Sequence, residues 1–219
     1  MNALDLHALT ETPLVSDPFE YVIVPNFIRT DALPALMEAF PEPRQPGSWP
    51  LERMAVGPVF RQFVEELNGP GFRAAVEEKF HIDLSGRPTM MTLRGQCREK
   101  DGQIHTDTET KLITVLLYMN PPWEAEGGRL RLLRSPSLDD AAAEVSPEAG
   151  TLLIFRRSER SFHGHEPFRG RRRALQMNWV TDQKVVDREL KRHTFSSLLK
   201  SLNPFSARAG EDRAGRHAG

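Results

Sequence analysis

The feature that most constrains the fold is a series of short β-type segments between Thr89 and Val180. Each segment is rich in apolar residues and is bounded by glycine, proline, asparagine or aspartate, a pattern typical of antiparallel strands joined by turns. The candidates are residues 89–93, 112–119, 129–133, 150–155 and 174–180. Because the strands are short and numerous, they favour a jelly-roll or related barrel over a parallel sheet.

The first 88 residues have a different pattern, with one short strand at 21–24 and then helical spacings. We expect a first helix with Thr30 or Asp31 as its cap, a second that ends at 68–71, and a third that follows at once. Their apolar faces would be Leu33, Leu36, Met37 and Phe40; Phe60, Phe63, Val64 and Leu67; and Phe72, Ala75, Val76 and Phe80. The pattern predicts a mainly β protein with supporting helices (α+β).

These patterns divide the chain into three regions. We predict that residues 1–88 are a helical support region of the same domain and that residues 89–182 form the β core. Residues 183–219 would add a C-terminal helix, centred on 195–202, and a mobile tail.

Composition argues against several functional classes. Lysine plus arginine (29) nearly balances aspartate plus glutamate (30), so we expect no nucleic-acid or membrane partner. Cys97 is the only cysteine, which excludes an internal disulfide and fits a reducing compartment. No stretch approaches the ~18 apolar residues of a membrane span. We therefore expect a cytoplasmic protein, and nothing in the sequence indicates its oligomeric state.

Two histidines and one carboxylate are candidate metal ligands. His105 and Asp107 are two residues apart, so on an extended chain both point to the same side, and His163 follows in a Ser-Phe-His-Gly-His segment. Two imidazoles and one carboxylate form the facial triad of non-haem Fe(II) sites, which leaves coordination positions open for a co-substrate and O2. His165 is the alternative third ligand. We favour His163, because it lies where the chain would re-enter the sheet.

An arginine cluster after the second histidine could bind a dicarboxylate co-substrate. Arg173 shares a strand face with Leu175, Met177 and Trp179, whereas Arg172 shares the opposite face. If the apolar face points into the barrel, Arg173 lies inside beside the metal, where an unpaired charge would need an anionic ligand. Arg172 remains the alternative.

Other pocket residues are suggested by the strand at 112–119. Tyr118 could donate its hydroxyl to the same carboxylate, and Thr114 shares its face and would line the co-substrate pocket. Arg94 and Lys111 are further cations near the expected pocket mouth, where we expect each to form a surface salt bridge.

In their order along the chain, the segments 101–107, 111–120, 127–131, 150–155 and 161–163 resemble the prolyl 4-hydroxylase-like branch of the iron(II)/2-oxoglutarate dioxygenases. The resemblance covers roughly residues 89–182. It implies a double-stranded β-helix with helices packed on one sheet, and it assigns Tyr118 to 2-oxoglutarate binding. In this family the basic residue that binds the distal carboxylate of 2-oxoglutarate, here called the clamp, lies nine or ten residues after the second histidine and six before a tryptophan. Arg173 matches both spacings. The usual glycine two residues before the clamp points instead to Arg172.

The resemblance also implies an activity. It predicts hydroxylation of an unactivated C–H bond in an amino acid, peptidyl or small-molecule substrate, using Fe(II), 2-oxoglutarate and O2, with ascorbate as an optional addition. Halogenating relatives lack the carboxylate ligand, so Asp107 favours hydroxylation. Two alternatives are a non-catalytic β-helix binding or regulatory module and a cupin-type metal enzyme without 2-oxoglutarate. The cupin alternative would use a His-x-His plus glutamate set, for which His163, His165 and Glu166 are the local candidates.

Overall fold

Nine strands form two sheets in the part of the chain that the computed structural model describes, residues 2–43 and 45–191. The strands are β1 Tyr21–Val24, β2 Trp49–Pro50, β3 Thr89–Cys97, β4 Lys111–Tyr118, β5 Leu130–Leu133, β6 Ala141–Val145, β7 Leu152–Arg156, β8 His163–Gly164 and β9 Gly170–Val180. The helices are α1 Leu6–Glu11, α2 Leu33–Glu38, α3 Pro58–Leu67 and α4 Pro70–Phe80, with a 3-10 turn at Leu51–Arg53, and residues 183–191 are also helical.

The larger sheet has the strand order β1-β7-β4-β9-β3-β2, and the smaller has the order β6-β5-β8. Neighbouring strands in both sheets are antiparallel. Side chains of the two sheets meet in a small apolar cluster in which Phe155 and Tyr118 of the larger sheet join Leu132 and Val145 of the smaller. The architecture is the expected double-stranded β-helix.

The larger sheet has two different faces because side chains alternate along each strand. Leu175, Met177 and Trp179 of β9 are buried in the main core together with the apolar faces of α3 and α4. The opposite face of β9 is polar and lines the pocket between the sheets, where Gln176 lies across from Leu116 of β4. Helices therefore cover one face of the sheet and leave the other for chemistry.

Helices α3 and α4 each begin at a proline. Proline is well suited to the first turn, because its missing N–H would have no intrahelical partner there and its φ is already helical. In α3 the buried residues Phe60, Phe63 and Leu67 follow the spacing of a single face. No described helix combines the length and the apolar character needed to cross a membrane.

Several boundaries differ from the sequence predictions. Helix α2 is capped by Ala32 rather than Thr30 or Asp31, and Pro34 lies in its first turn. Strand β6 lies in a segment that we expected to be loop, since its residues Ala141–Val145 are mostly alanine and have weak β-propensity; pairing with β5 imposes the strand. The predicted helix at 195–202 and the tail lie outside the described residues.

We predict that helices and sheet unfold as one unit. Val76 of α4 is fully buried in the main core, so Val76→Ala should lower the free energy of unfolding by about 2 kcal/mol through lost burial and a new cavity. The same change at the exposed Val15 is the control, and it should stay within about 0.5 kcal/mol. Urea unfolding followed by fluorescence and circular dichroism measures both; two separate transitions would contradict the prediction.

Candidate active site

His105, Asp107 and His163 come together in the wall of the pocket, with one potential ligand atom from each within 4.8 Å of the others. The two histidines are held by a pair of backbone hydrogen bonds, from His105 N to His163 O (3.1 Å) and from His163 N to His105 O (3.0 Å). This isolated bridge joins the segment after β3 to β8. Two imidazole nitrogens and one carboxylate oxygen suit a divalent iron ion.

Hydrogen bonds of the two imidazole rings determine which nitrogen is available. His105 Nδ1 lies 2.8 Å from the carbonyl oxygen of Gln103, and His163 Nδ1 lies 2.9 Å from that of Ser161. Because a carbonyl only accepts, each Nδ1 must carry the proton, which leaves the Nε2 lone pair free for a metal. Burial lowers the pKa of His163 to about 4, so its ring is neutral, as a ligand must be, at neutral pH.

Asp107 is buried, and both of its carboxylate oxygens are engaged. Lys111 Nζ lies 2.6 Å from Oδ1, and Thr114 Oγ1 donates to Oδ2 at 2.6 Å. Asn178 Nδ2 in turn donates to Thr114 Oγ1 at 2.8 Å. Burial acts to raise the pKa of Asp107, but Lys111, His163 and these hydrogen bonds outweigh it and hold the pKa below its usual value. The carboxylate is therefore ionised and oriented.

His165 is not part of the metal cluster. It lines the same pocket, but its Nδ1 lies 2.8 Å from the carbonyl oxygen of Glu166 and its Nε2 lies 3.9 Å from the Cys97 sulfur. The Glu166 side chain pairs with Arg131 at 2.6 Å. A cupin-type set of His163, His165 and Glu166 is therefore not assembled in the described residues.

Arg172, and not Arg173, points into the pocket. Its Nε donates to the carbonyl oxygen of Gly128 at 2.6 Å, its Nη2 lies 3.3 Å from the Tyr118 hydroxyl, and its guanidinium lies over the Tyr118 ring. Within residues 2–43 and 45–191 no carboxylate lies within ion-pair distance of it. Arg172 is thus a buried, oriented cation for which the described residues supply no counterion.

The expectation that Arg173 lies inside beside the metal is wrong. Arg173 pairs with Glu42, donates to the carbonyl oxygen of Met37 and packs over the Phe40 ring, all on the helical side of the sheet. The assumption that the apolar face of β9 points into the barrel caused the error. That face is apolar because the helices cover it, and the polar face is the one that lines the pocket.

The rest of the pocket, with a volume of about 270 Å³, is lined by residues of β3, β4 and β9, by the loop at 100–103, and by residues of β5 and β8. Thr114 and Tyr118 are among them, as the alternation of β4 predicts. Lys111 pairs with the buried Asp107 instead of forming a surface salt bridge, and no salt bridge of Arg94 is found among the described residues, which corrects both expectations. The missed residue Asn178 had a signal in the sequence, since polar residues alternate with large apolar ones along β9.

Solved structures of prolyl hydroxylases share this fold. A prolyl-4-hydroxylase from Pseudomonas putida has a TM-score of 0.53 at 18% identity, covering 81% of this chain and 92% of that one. A prolyl 4-hydroxylase from Phytophthora capsici has a TM-score of 0.53 at 19% identity, covering 84% and 65%. The viral collagen prolyl hydroxylase of Paramecium Bursaria Chlorella virus-1, in its 2-oxoglutarate complex, has a TM-score of 0.51 at 16% identity, covering 76% and 97%.

The sequence comparisons add a family. No curated protein sequence matches the chain, but the sequence model of the 2OG-Fe(II) oxygenase superfamily matches residues 90–181. The matched segment contains the three clustered ligand residues and Arg172. Residues 90–181 therefore match the 2OG-Fe(II) oxygenase superfamily, and the fold of the chain is similar to that of prolyl hydroxylases.

Proposed function

We propose that His105, Asp107 and His163 hold Fe(II) and that Arg172 with Tyr118 binds the distal carboxylate of 2-oxoglutarate. The observation that carries this proposal is the placement of a buried guanidinium, with no counterion among the described residues, in the same pocket as a ligand cluster with free Nε2 atoms. A dicarboxylate would provide a partner for both the metal and the guanidinium. One end can chelate the metal, while the guanidinium binds the other carboxylate in a bidentate ion pair.

The reaction that we propose is hydroxylation of an unactivated C–H bond in an amino acid, peptidyl or small-molecule substrate. Bound Fe(II), 2-oxoglutarate and O2 supply the oxidation, in which one oxygen atom enters the C–H bond, the other enters succinate, and CO2 leaves. Ascorbate, expected from the family resemblance, is an optional addition. A cytoplasmic location is supported by the single cysteine.

The residues around the ligands act by positioning. Lys111 and Thr114 keep the Asp107 carboxylate ionised and limit its rotation, while the backbone carbonyls keep the two imidazoles in the ligand tautomer. Tyr118 supports the Arg172 guanidinium and is itself fully buried. Such outer contacts commonly change metal affinity or activity ~10–100-fold.

We expect Asp107→Ala to abolish succinate formation from 2-oxoglutarate, because the metal would lose its anionic ligand. The loss should exceed the ~100-fold upper range of an outer-contact change. Asp83→Ala is the matched control, since Asp83 is exposed outside the pocket. Succinate is measured under saturating Fe(II) and 2-oxoglutarate; unchanged production by Asp107→Ala would refute the triad.

The two neighbouring histidines should differ in metal binding. His163→Ala should bind Fe(II) with clearly reduced stoichiometry under anaerobic conditions, whereas His165→Ala should keep about one metal ion per chain. The reason is that, of these two histidines, His163 contributes a ligand atom to the cluster and His165 does not. Equilibrium dialysis with metal analysis decides between them, and the reverse order of losses would show that His165 is the ligand.

Arg172 and Arg173 give a third test. Arg172→Gln should weaken 2-oxoglutarate binding by about 2 kcal/mol or more, roughly thirtyfold, because a buried charge pair is lost. Arg173→Gln should change it less than about threefold, since Arg173 pairs with Glu42 outside the pocket. Calorimetric titration with Mn(II) in place of Fe(II) measures the affinity. A larger effect at Arg173 would contradict the assignment.

A further inference from the structure

Arg94 is a pocket cation to which the proposed binding of iron and 2-oxoglutarate assigns no role. It lies on β3 across from Ala174, on the polar face of the larger sheet, and it lines the pocket that contains the metal cluster. Its side chain is partly exposed to the pocket. Among residues 2–43 and 45–191, no hydrogen bond or ion pair holds its guanidinium.

The electrostatic surroundings of Arg94 favour an anion. Burial, and then the positive charge of Arg172, lower the pKa of Arg94. The acidic groups of the pocket are already paired: Asp101 lies 2.9 Å from Arg98, and Asp107 lies 2.6 Å from Lys111. An incompletely solvated guanidinium beside another cation gains most from a bound anion.

The co-substrate does not supply that anion. 2-Oxoglutarate has two carboxylates, and the proposed function places one at the metal and the other at Arg172. The negative charge of Asp107 is neutralised by Lys111, and the two negative charges of 2-oxoglutarate would neutralise the two positive charges of Fe(II). The charges of Arg172 and Arg94 therefore leave the loaded pocket positive. A substrate with one negative charge would reduce this excess.

A second cavity beside Arg94 is suited to such a group. This hydroxyl-lined cavity encloses about 180 Å³ and shares Arg94, Lys111 and Gln176 with the active-site pocket. Its polar wall is formed by Ser48, Thr92, Thr108, Thr110, Asn178 and Glu189, and Met90 and Val185 add apolar surface. The Glu189 carboxylate is paired with Arg188 at 4.0 Å. Hydroxyl groups can donate hydrogen bonds to the oxygens of an anion whose charge Arg94 neutralises.

We propose that the substrate is a small carboxylic acid whose carboxylate binds Arg94 in the hydroxyl-lined cavity, an inference that rests on the proposed function. Because the two cavities share three residues, the remainder of the acid can extend from Arg94 toward the metal cluster. Arg94 is then a residue that determines specificity for the hydroxylated substrate.

A carboxylate fits this cavity better than a phosphate. A planar guanidinium can form two parallel hydrogen bonds with the two oxygens of one carboxylate. A phosphate dianion would need a second free cation, and Lys111, the other cation shared by both cavities, is already paired with Asp107 at 2.6 Å. The cavity volume of about 180 Å³ suits a small carboxylic acid.

The first test uses the wild-type enzyme with Mn(II) and 2-oxoglutarate without O2. A panel of aliphatic, hydroxy and amino carboxylic acids is compared with the matching primary amides by thermal stabilisation, which increases with occupancy. We expect at least one acid to stabilise the loaded enzyme and to stimulate succinate formation in air, while its amide does neither. If no acid exceeds its amide, the assignment is overturned.

The second test uses Arg94→Gln with Arg171→Gln as the matched control, since Arg171 pairs with Glu42 away from the pocket. For an acid found in the panel, Arg94→Gln should raise the Kd at least about thirtyfold, with 2-oxoglutarate affinity changed less than about threefold. Arg171→Gln should change neither. Arg94→Lys keeps the positive charge but cannot form the bidentate pair, so it should bind the acid more tightly than Arg94→Gln but less tightly than the wild type.

The outcomes separate this inference from the proposed function. Weak 2-oxoglutarate binding by Arg94→Gln, comparable to that of Arg172→Gln, would place Arg94 in the co-substrate site and overturn the inference alone. Unchanged acid affinity in Arg94→Gln would also overturn it. Failure of the wild-type enzyme to bind Mn(II) and 2-oxoglutarate would instead refute the proposed function, and the inference would fall with it.

Discussion

The alternation of side chains along β9 determines how this protein separates its stability from its chemistry. Leu175, Met177 and Trp179 point to the helices and are buried in the main core, whereas Arg172 and Gln176 point into the pocket. A shift of one residue in the pairing of β9 would bury the polar set under the helices and expose the apolar set to the pocket. Burial of the apolar face is thus what fixes the direction of the pocket residues.

A second interaction, the backbone bridge between His105 and His163, brings distant parts of the chain to one point. It brings together the segment after β3 and the short strand β8, which belongs to the smaller sheet. The carbonyl groups of Gln103 and Ser161 then select the ring nitrogen of each histidine that faces the site. The ligand geometry depends on backbone structure as much as on the side chains that would bind the metal.

Much of this arrangement could be predicted from the sequence because it depends on local spacing. The i, i+2 spacing of His105 and Asp107 and the alternation of β4 require only an extended chain. The inward direction of Arg172 could not be read from local spacing, because β9 has one apolar and one polar face and both are largely buried. Which of the two faces the helices depends on contacts with residues more than a hundred positions away, such as Phe63 and Phe72.

The sequence by itself determined the β-rich core, the places of β1, β3, β4, β5, β7 and β9 along the chain, and the residue types of the metal cluster, since each follows from period-two patterns, turn residues and ligand chemistry. The tertiary structure alone decided that Arg172 is in the pocket, that Lys111 neutralises Asp107, and that Arg94 has no ion-pair partner among the described residues. The physical reason is that burial and charge pairing are properties of neighbours in space. Which side chains are close in space depends on how the helices pack on one face of the larger sheet, and this packing does not follow from the spacing of residues within one strand.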